Sequence, residues 1–292
     1  MRIGMTLPTM MPGVDRATLL AWAERVDAGP FASLAAGERI TFGNTEAMVS
    51  MAAAAAVTAR VELMLTVVVL PLHSEVVVAK QVATLDVLSG GRVALGVGVG
   101  GREEDYRAAG VAPERRGRRM TAQVARMRRV WAGEALADGM APIGPAPVRA
   151  GGIPVLIGAL AHDSIRRAAR WADGLCGFSF GPDAHEVRAA FDVARTAWRD
   201  AGRPPPRLVT STWYSIAPDG RDRLDAYARR YLDVFGEPVA RALARRCTTA
   251  SPAALVDTIA RMRDLGADDF LLVPTTTDQD EVARVADLVA GR

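Results

Sequence analysis

Short runs of aliphatic residues alternate along the chain with longer stretches in which apolar positions recur every three or four residues. Arg2–Leu7 is an apolar run closed by Pro8 and predicts a first strand. In Asp15–Ala28, Leu19, Leu20, Ala23 and Val26 fall on one helical face, with Asp15 placed to cap it. Phe31–Ala36 predicts a second strand, and Thr45 can cap a helix that runs to Thr58. Val61–Leu70 is nearly continuous Val and Leu, as a parallel strand buried on both faces requires. Ser74–Leu88 has helical spacing and is stopped by Ser89-Gly90-Gly91; Arg92–Val97 then predicts strand four.

The rhythm continues in the second half. Arg118–Trp131 predicts a helix with Met120, Val124, Met127 and Val130 on one side, and Asp138–Gly152, rich in Gly and Pro, a long loop. Strands are predicted at Ile153–Ile157, Leu175–Phe178, Leu208–Ile216 and Asp269–Val273. Helices are predicted at Ser164–Ala172, Ala184–Ala201, Arg221–Phe235, Pro238–Arg245, from Ser251-Pro252 onward, and at Asp280–Leu288. Eight strand–helix units in 292 residues favour a single α/β domain over residues 1–292, a closed (β/α)8 TIM barrel with extra helices between strands seven and eight.

Composition narrows the function. Half the residues are apolar, enough for a large core, and the net charge is only +3. Lys80 is the single lysine. The cluster Arg115, Arg116, Arg118 and Arg119 has no interleaved aromatics to stack on bases, so it predicts a solvated helix start and no nucleic-acid partner. Cys176, Cys247 and the three histidines are scattered, without disulfide or metal-ligand spacing, so no metal site is expected. The N-terminus lacks a signal-peptide core, and the alanine-rich Met48–Val57 is too short to span a bilayer. These features predict a cytoplasmic protein without a membrane partner.

Gly96, Gly98 and Gly101 satisfy G-x-G-x-x-G after a strand. A Rossmann reading would need an acidic residue about 20 positions on, where Arg115–Gln123 offers none, and would place the motif on the first strand instead of the fourth. In a barrel, glycines at a strand's C-terminal end instead let a flat ligand lie against bare backbone.

The whole segment Ala79–Gly101 resembles the signature of the bacterial luciferase-like monooxygenase superfamily, whose members are FMN-dependent monooxygenases and coenzyme F420-dependent oxidoreductases. The resemblance continues through Glu104–Gly110, Arg118–Trp131, Pro154–Gly158 and Arg166–Gly174. It implies the same luciferase-like barrel, with a flavin or deazaflavin ring at the C-terminal mouth against strand three. Leu65, Thr66 and Val67 match a bulge there that carries a non-proline cis peptide. Gly98 and Gly100 match the strand-four wall, and Gly158, Ala159, Leu160, Ala161 and Ser164 match the cofactor's phosphate end, with Arg166 either a charge partner there or a surface helix arginine.

Many family members carry Asp-His after strand two; this chain has Glu38-Arg39. Arg39 cannot act as a base and is read as a holder of an anionic substrate or of the cofactor's carbonyl edge. Glu38 is read as Arg39's salt-bridge partner or as a proton carrier, and His73, after strand three, as the histidine facing the same mouth. Trp213 and Tyr214 either line the pocket or sit in the core. The helix Thr45–Thr58 is apolar all round, which implies cover by a second copy of the chain, and family members dimerise through this region. The expected function is F420-dependent hydride transfer to or from a small organic substrate. The alternatives are an FMN monooxygenase fed by a partner flavin reductase and a non-catalytic flavin-binding protein.

Overall fold

A computed structural model describes residues 1–290. Eight strands form a closed parallel barrel in the order β1-β2-β3-β4-β5-β6-β7-β8. They are β1 (Arg2–Thr6), β2 (Ser33–Ala36), β3 (Glu62–Val69), β4 (Val93–Gly98), β5 (Val155–Gly158), β6 (Gly174–Cys176), β7 (Arg207–Tyr214) and β8 (Asp269–Pro274). The helices around them are α1 (Arg16–Ala28), α2 (Ala47–Val57), α3 (Glu75–Ser89), α4 (Glu103–Ala108), α5 (Arg116–Trp131), α6 (His162–Ala168), α7 (Ala184–Asp200), α8 (Gly220–Leu232), α9 (Glu237–Ala244), α10 (Pro252–Asp264) and α11 (Asp280–Ala290). The extra helices expected between strands seven and eight are α8 and α9, while α4 has no counterpart in the sequence pattern.

Local chemistry sets the boundaries. Asp15 caps α1 by accepting from the Thr18 amide at 2.8 Å, and Ser251 caps α10 through the Ala254 amide. Gly90, in the left-handed region at φ 68°, ends α3. At α2 the expected Thr45 cap is displaced by Glu46, whose carboxylate takes both the Met48 and Val49 amides; the Thr45 hydroxyl instead accepts from Ser50.

Two apolar layers follow from the alternation along each strand. One set of side chains, including Ala35, Met64, Ala94, Leu156, Cys176, Val209 and Leu271, fills the barrel axis. The other, including Leu34, Leu63, Leu65, Val93, Leu95 and Phe270, packs against the helices. The N-terminal end of the barrel is plugged by charge. Arg207, on β7, donates to Asp269 at 2.8 Å and to Glu62 at 2.6 Å. Arg2 reaches Asp269 at 3.0 Å and Arg149 reaches Glu62 at 2.9 Å. Burial raises the Glu62 pKa, but the Arg207 and Arg149 hydrogen bonds and charges outweigh it and hold the carboxyl below its ordinary value. The opposite end, at the strands' C-termini, is open.

The helix expected to be covered on every side is covered on one. Ala47, Ser50, Met51, Ala54 and Ala55 of α2 are buried, whereas Val49, Ala53 and Ala56 face outward. On the adjoining α3, Val77 and Leu88 are exposed as well. Among the described residues no helix is long and apolar enough to cross a membrane.

Candidate active site

At the C-terminal mouth the β3–β4 register shifts between Leu65 and Val68, and the Thr66–Val67 peptide is cis. The bulge turns the Val67 side chain inward, between the glycines of the next two strands. A Cβ on Gly98 would lie 2.9 Å from Val67 Cγ2, and one on Gly158 would lie 2.5 Å from Val67 Cγ1. A Cβ on Gly37, at the end of β2, would meet the Thr66 carbonyl at 2.9 Å. Glycine at these positions is therefore a packing requirement, and the wall it leaves is bare backbone flanked by Val67.

This wall bounds a cavity of about 470 Å³ that runs from Glu38 and Val67 past Gly98 and Gly100 to Gly158, Ala159, Leu160, Ala161 and Ser164. At its far end Arg167 lines the cavity and donates to the Ser164 hydroxyl at 2.9 Å. The expected Arg166 points away and pairs with Asp163 on the surface at 2.7 Å. Arg167, its neighbour in sequence, holds the position facing the cavity. Leu65 does not face it: its side chain is fully buried against the helix layer.

A second cavity of about 290 Å³ adjoins the first across Gly37, Thr66, Gly101, Arg102, Leu160 and Tyr231, which line both. Its walls are aromatic. Trp213 stands edge-on to Phe178, Phe180, Tyr227 and Tyr231, with centroids 5.0–5.3 Å apart. Trp213 therefore lines the mouth, whereas Tyr214, its sequence neighbour, is fully buried on the other side of β7.

Glu38 and Arg39 are not each other's partners. Glu38 accepts from the Val69 amide at 2.6 Å and hydrogen-bonds His73 Nε2 at 2.8 Å, with its side chain only 3% exposed. This hydrogen bond raises the His73 pKa above its ordinary value, although burial opposes it. His73 is placed differently from the expectation that it faces the mouth. It opens onto a separate depression beside Gln123 and Arg126, and meets the main cavity only through Glu38.

Arg39 turns the other way. It donates from Nη1 to the Tyr231 carbonyl at 3.1 Å and lies 4.1 Å over the Phe42 ring. Burial, then the nearby Arg102 charge, lowers its pKa. The β2–α2 loop that carries Arg39 is tied to α4 by Asp105, which accepts from the Thr41 amide at 2.8 Å and its hydroxyl at 2.6 Å. Arg102, just ahead of α4, shares the Tyr231 carbonyl with Arg39 at 3.2 Å. The sequence reading missed Arg102, Arg167, Tyr231 and the Phe178–Phe180 pair. The alternation Phe178-Ser179-Phe180 after strand six was a legible sign that both rings face one way. Tyr231 lies at the end of a helix far along the chain and carries no such sign.

The sequence profile described as luciferase-like monooxygenase matches residues 1–269. An uncharacterized protein of Mycobacterium tuberculosis is 36% identical over 171 residues, a stretch covering 55% of this chain and 59% of that relative. Among solved structures, an F420-dependent secondary alcohol dehydrogenase in complex with an F420–acetone adduct superposes with TM-score 0.81 at 17% identity, covering 99% of this chain and 98% of its own. The oxygenating constituent of 3,6-diketocamphane monooxygenase from Pseudomonas putida, a type II Baeyer–Villiger enzyme in complex with FMN, superposes with TM-score 0.74 at 17% identity, covering 98% and 95%. At these identities the structural likeness speaks for the barrel alone, while the profile match extends through the bulge, the glycine wall and the aromatic cavity. The chain belongs to the luciferase-like monooxygenase family.

Proposed function

We propose that the chain is an oxidoreductase that binds coenzyme F420 in the glycine-walled cavity and carries out hydride transfer to or from a small organic substrate held in the aromatic cavity. The observation that carries this reading is the junction of the two cavities at Gly37, Thr66 and Arg102, which brings a flat, bare-backbone wall and an aromatic chamber together over the barrel axis. The residues present fit a tricyclic ring ending in a phosphate chain. Gly98, Gly100 and Gly158 leave room beside Val67, and Arg167 with Ser164 offers charge and hydrogen bonds at the far end. Bound there, the deazaflavin would supply or accept the hydride, chemistry that no side chain provides.

The protein's share is positioning and proton movement. Reduction of a carbonyl by hydride leaves an alkoxide that needs one proton; oxidation of an alcohol releases one. Glu38 lines the cofactor cavity beside Gly37 and Thr66, where the two cavities meet, and is backed by His73, which is 30% exposed on the other side, so the pair links that junction to solvent. Arg39, always charged, does not join that relay. The aromatic cluster offers water few partners in the chamber, and a bound substrate that displaced it would feel stronger electrostatics there. Equilibrium titration of the purified protein with F420 and with FMN tests the cofactor reading; FMN affinity without F420 affinity would reverse the choice.

The second reading is an FMN monooxygenase supplied with reduced flavin by a partner reductase. The hydroxyl and guanidinium groups of Ser164 and Arg167 suit the phosphate of FMN equally well. Oxygen consumption coupled to substrate hydroxylation would favour it over hydride transfer. We also propose a homodimer through the outward face of α2 and α3, where Val49 is 70% exposed and Leu88 64%. Val49→Glu is expected to convert the dimer to monomer by light scattering. An unchanged mass would remove this face from the interface.

A further inference from the structure

Two kinds of buried or half-buried arginine occur in this protein. At the N-terminal plug, Arg207 is matched by Glu62 and Asp269. At the catalytic mouth, Arg39, Arg102 and Arg230 form no ion pair with any carboxylate among the described residues. Their Nε atoms are all buried without a hydrogen-bond partner. Arg39 is only 5% exposed. The nearby acids Asp105 and Glu104 are hydrogen-bonded to Thr41; their charge acts on Arg39 from a distance, without a direct contact.

What holds these cations is aromatic. Arg39 and Arg102 stack on the Tyr231 ring at 4.9 and 4.6 Å, and Arg230 lies 5.5 Å from the Tyr227 centroid. Arg39 and Arg102 also share a single carbonyl, that of Tyr231, so two guanidinium groups converge on one acceptor. Positive charge in a partly buried site with no carboxylate in direct contact is costly unless something else neutralises it. Arg102 lines both cavities and donates one hydrogen bond, from Nη2, which leaves a guanidinium fork with donors to spare at the junction.

We propose that Arg102, with Arg39 behind it, is the anion-binding end of the substrate chamber, and that the substrate is a flat, apolar molecule bearing one carboxylate or phenolate oxyanion. The anion docks on the Arg102 fork while the carbon skeleton lies among Phe178, Trp213, Tyr227 and Tyr231. This deepens the assignment of the neighbouring cavity to a cofactor and rests on it for the substrate's role, though the binding itself is independent of it.

The test is titration of the full chain with 2-naphthoate and with its neutral isostere 2-naphthamide, read by calorimetry and by quenching of tryptophan fluorescence. Wild type is expected to bind the carboxylate more tightly by about tenfold or more, the difference a charge-assisted hydrogen bond supplies. Arg102→Met should abolish that preference and leave naphthamide affinity nearly unchanged, and Arg167→Met should leave the preference intact. Equal affinity of wild type for the two probes would overturn the proposal, without reliance on any variant. So would a preference that survives Arg102→Met, or that vanishes in Arg167→Met. The titration is repeated with saturating cofactor: naphthoate should still bind, and competitive displacement would assign the arginines to the cofactor instead. If neither F420 nor FMN binds, the cofactor reading fails while the preference for naphthoate stands or falls separately.

Discussion

Glu38→Gln is expected to lower kcat roughly 10²–10⁴-fold, the range that a positioned acid–base group supplies, while leaving cofactor affinity nearly unchanged. The amide retains the geometry, since it can still accept from the Val69 amide and donate to His73, so the fold should survive. What it loses is the exchangeable proton and the negative charge. Nuclear magnetic resonance of the His73 ring supplies a readout beyond turnover. In wild type the hydrogen bond and charge of Glu38 hold the His73 pKa above its ordinary value, and in the variant it should fall. The stability consequence has a definite sign. A raised histidine pKa contributes stability in full below the ordinary imidazole value of about 6.5, and that contribution is lost as pH rises through the folded-state value. Wild type and Glu38→Gln should therefore differ most in mildly acidic solution and converge in alkali. Unchanged turnover with an unchanged His73 titration would remove the pair from the mechanism.

Arg207→Met is expected to destabilise the chain by about 3 kcal/mol, the low end for a broken buried pair, because it removes the one arginine in close contact with both carboxylates while each keeps another arginine. Asp269 is fully buried and the Glu62 side chain only 11% exposed. Arg207 is held in its charged form against the opposing effect of burial by the hydrogen bonds of Asp269 and Glu62. Of the remaining arginines, Arg149 reaches only Glu62, and Arg2 holds Asp269 at 2.9 Å but Glu62 only at 3.8 Å, a looser bridge than the Arg207 fork. For a domain of this size, with about 2–4 °C per kcal/mol, the melting temperature should fall by on the order of 10 °C. The effect carries a pH dependence opposite to that of His73. The lowered Glu62 pKa contributes stability above the ordinary carboxylate value, lost as pH falls through the folded-state value. The gap between wild type and Arg207→Met should thus narrow in strong acid, and a gap independent of pH would mean that packing of the arginine stem, not charge, is what the plug supplies.

The barrel was legible because short aliphatic runs and period-3.6 stretches alternate eight times, and the caps and stop glycines mark the joints. Asp15, Ser251 and Gly90 behave as their residue types predict. The glycine wall was legible for the same reason: Gly98 and Gly158 lie at strand ends, where local sequence determines local position. Contacts across the barrel were not. Glu38 was matched to its sequence neighbour Arg39, yet successive residues leaving a strand diverge, and its partner is His73, 35 positions away. Arg166 and Arg167 show the same limit within one helix, where a step of one residue separates the surface from the cavity. Arg102 and Tyr231 meet only because the chain closes on itself, 129 residues apart, and no pattern in either segment announces the other.

The wall formed by Val67, Gly98 and Gly158 is the proposed seat of a flavin-type ring. Gly158→Val tests this most directly, since its Cβ would sit 2.5 Å from Val67 Cγ1 and force Val67 and the added methyls into the wall's free face. Fluorescence titration of wild type with F420 and FMN should yield saturable one-to-one binding of F420, lost in a Gly158→Val variant that still melts cooperatively. Binding of neither cofactor to the wild type, or binding that the variant leaves untouched, would contradict the account.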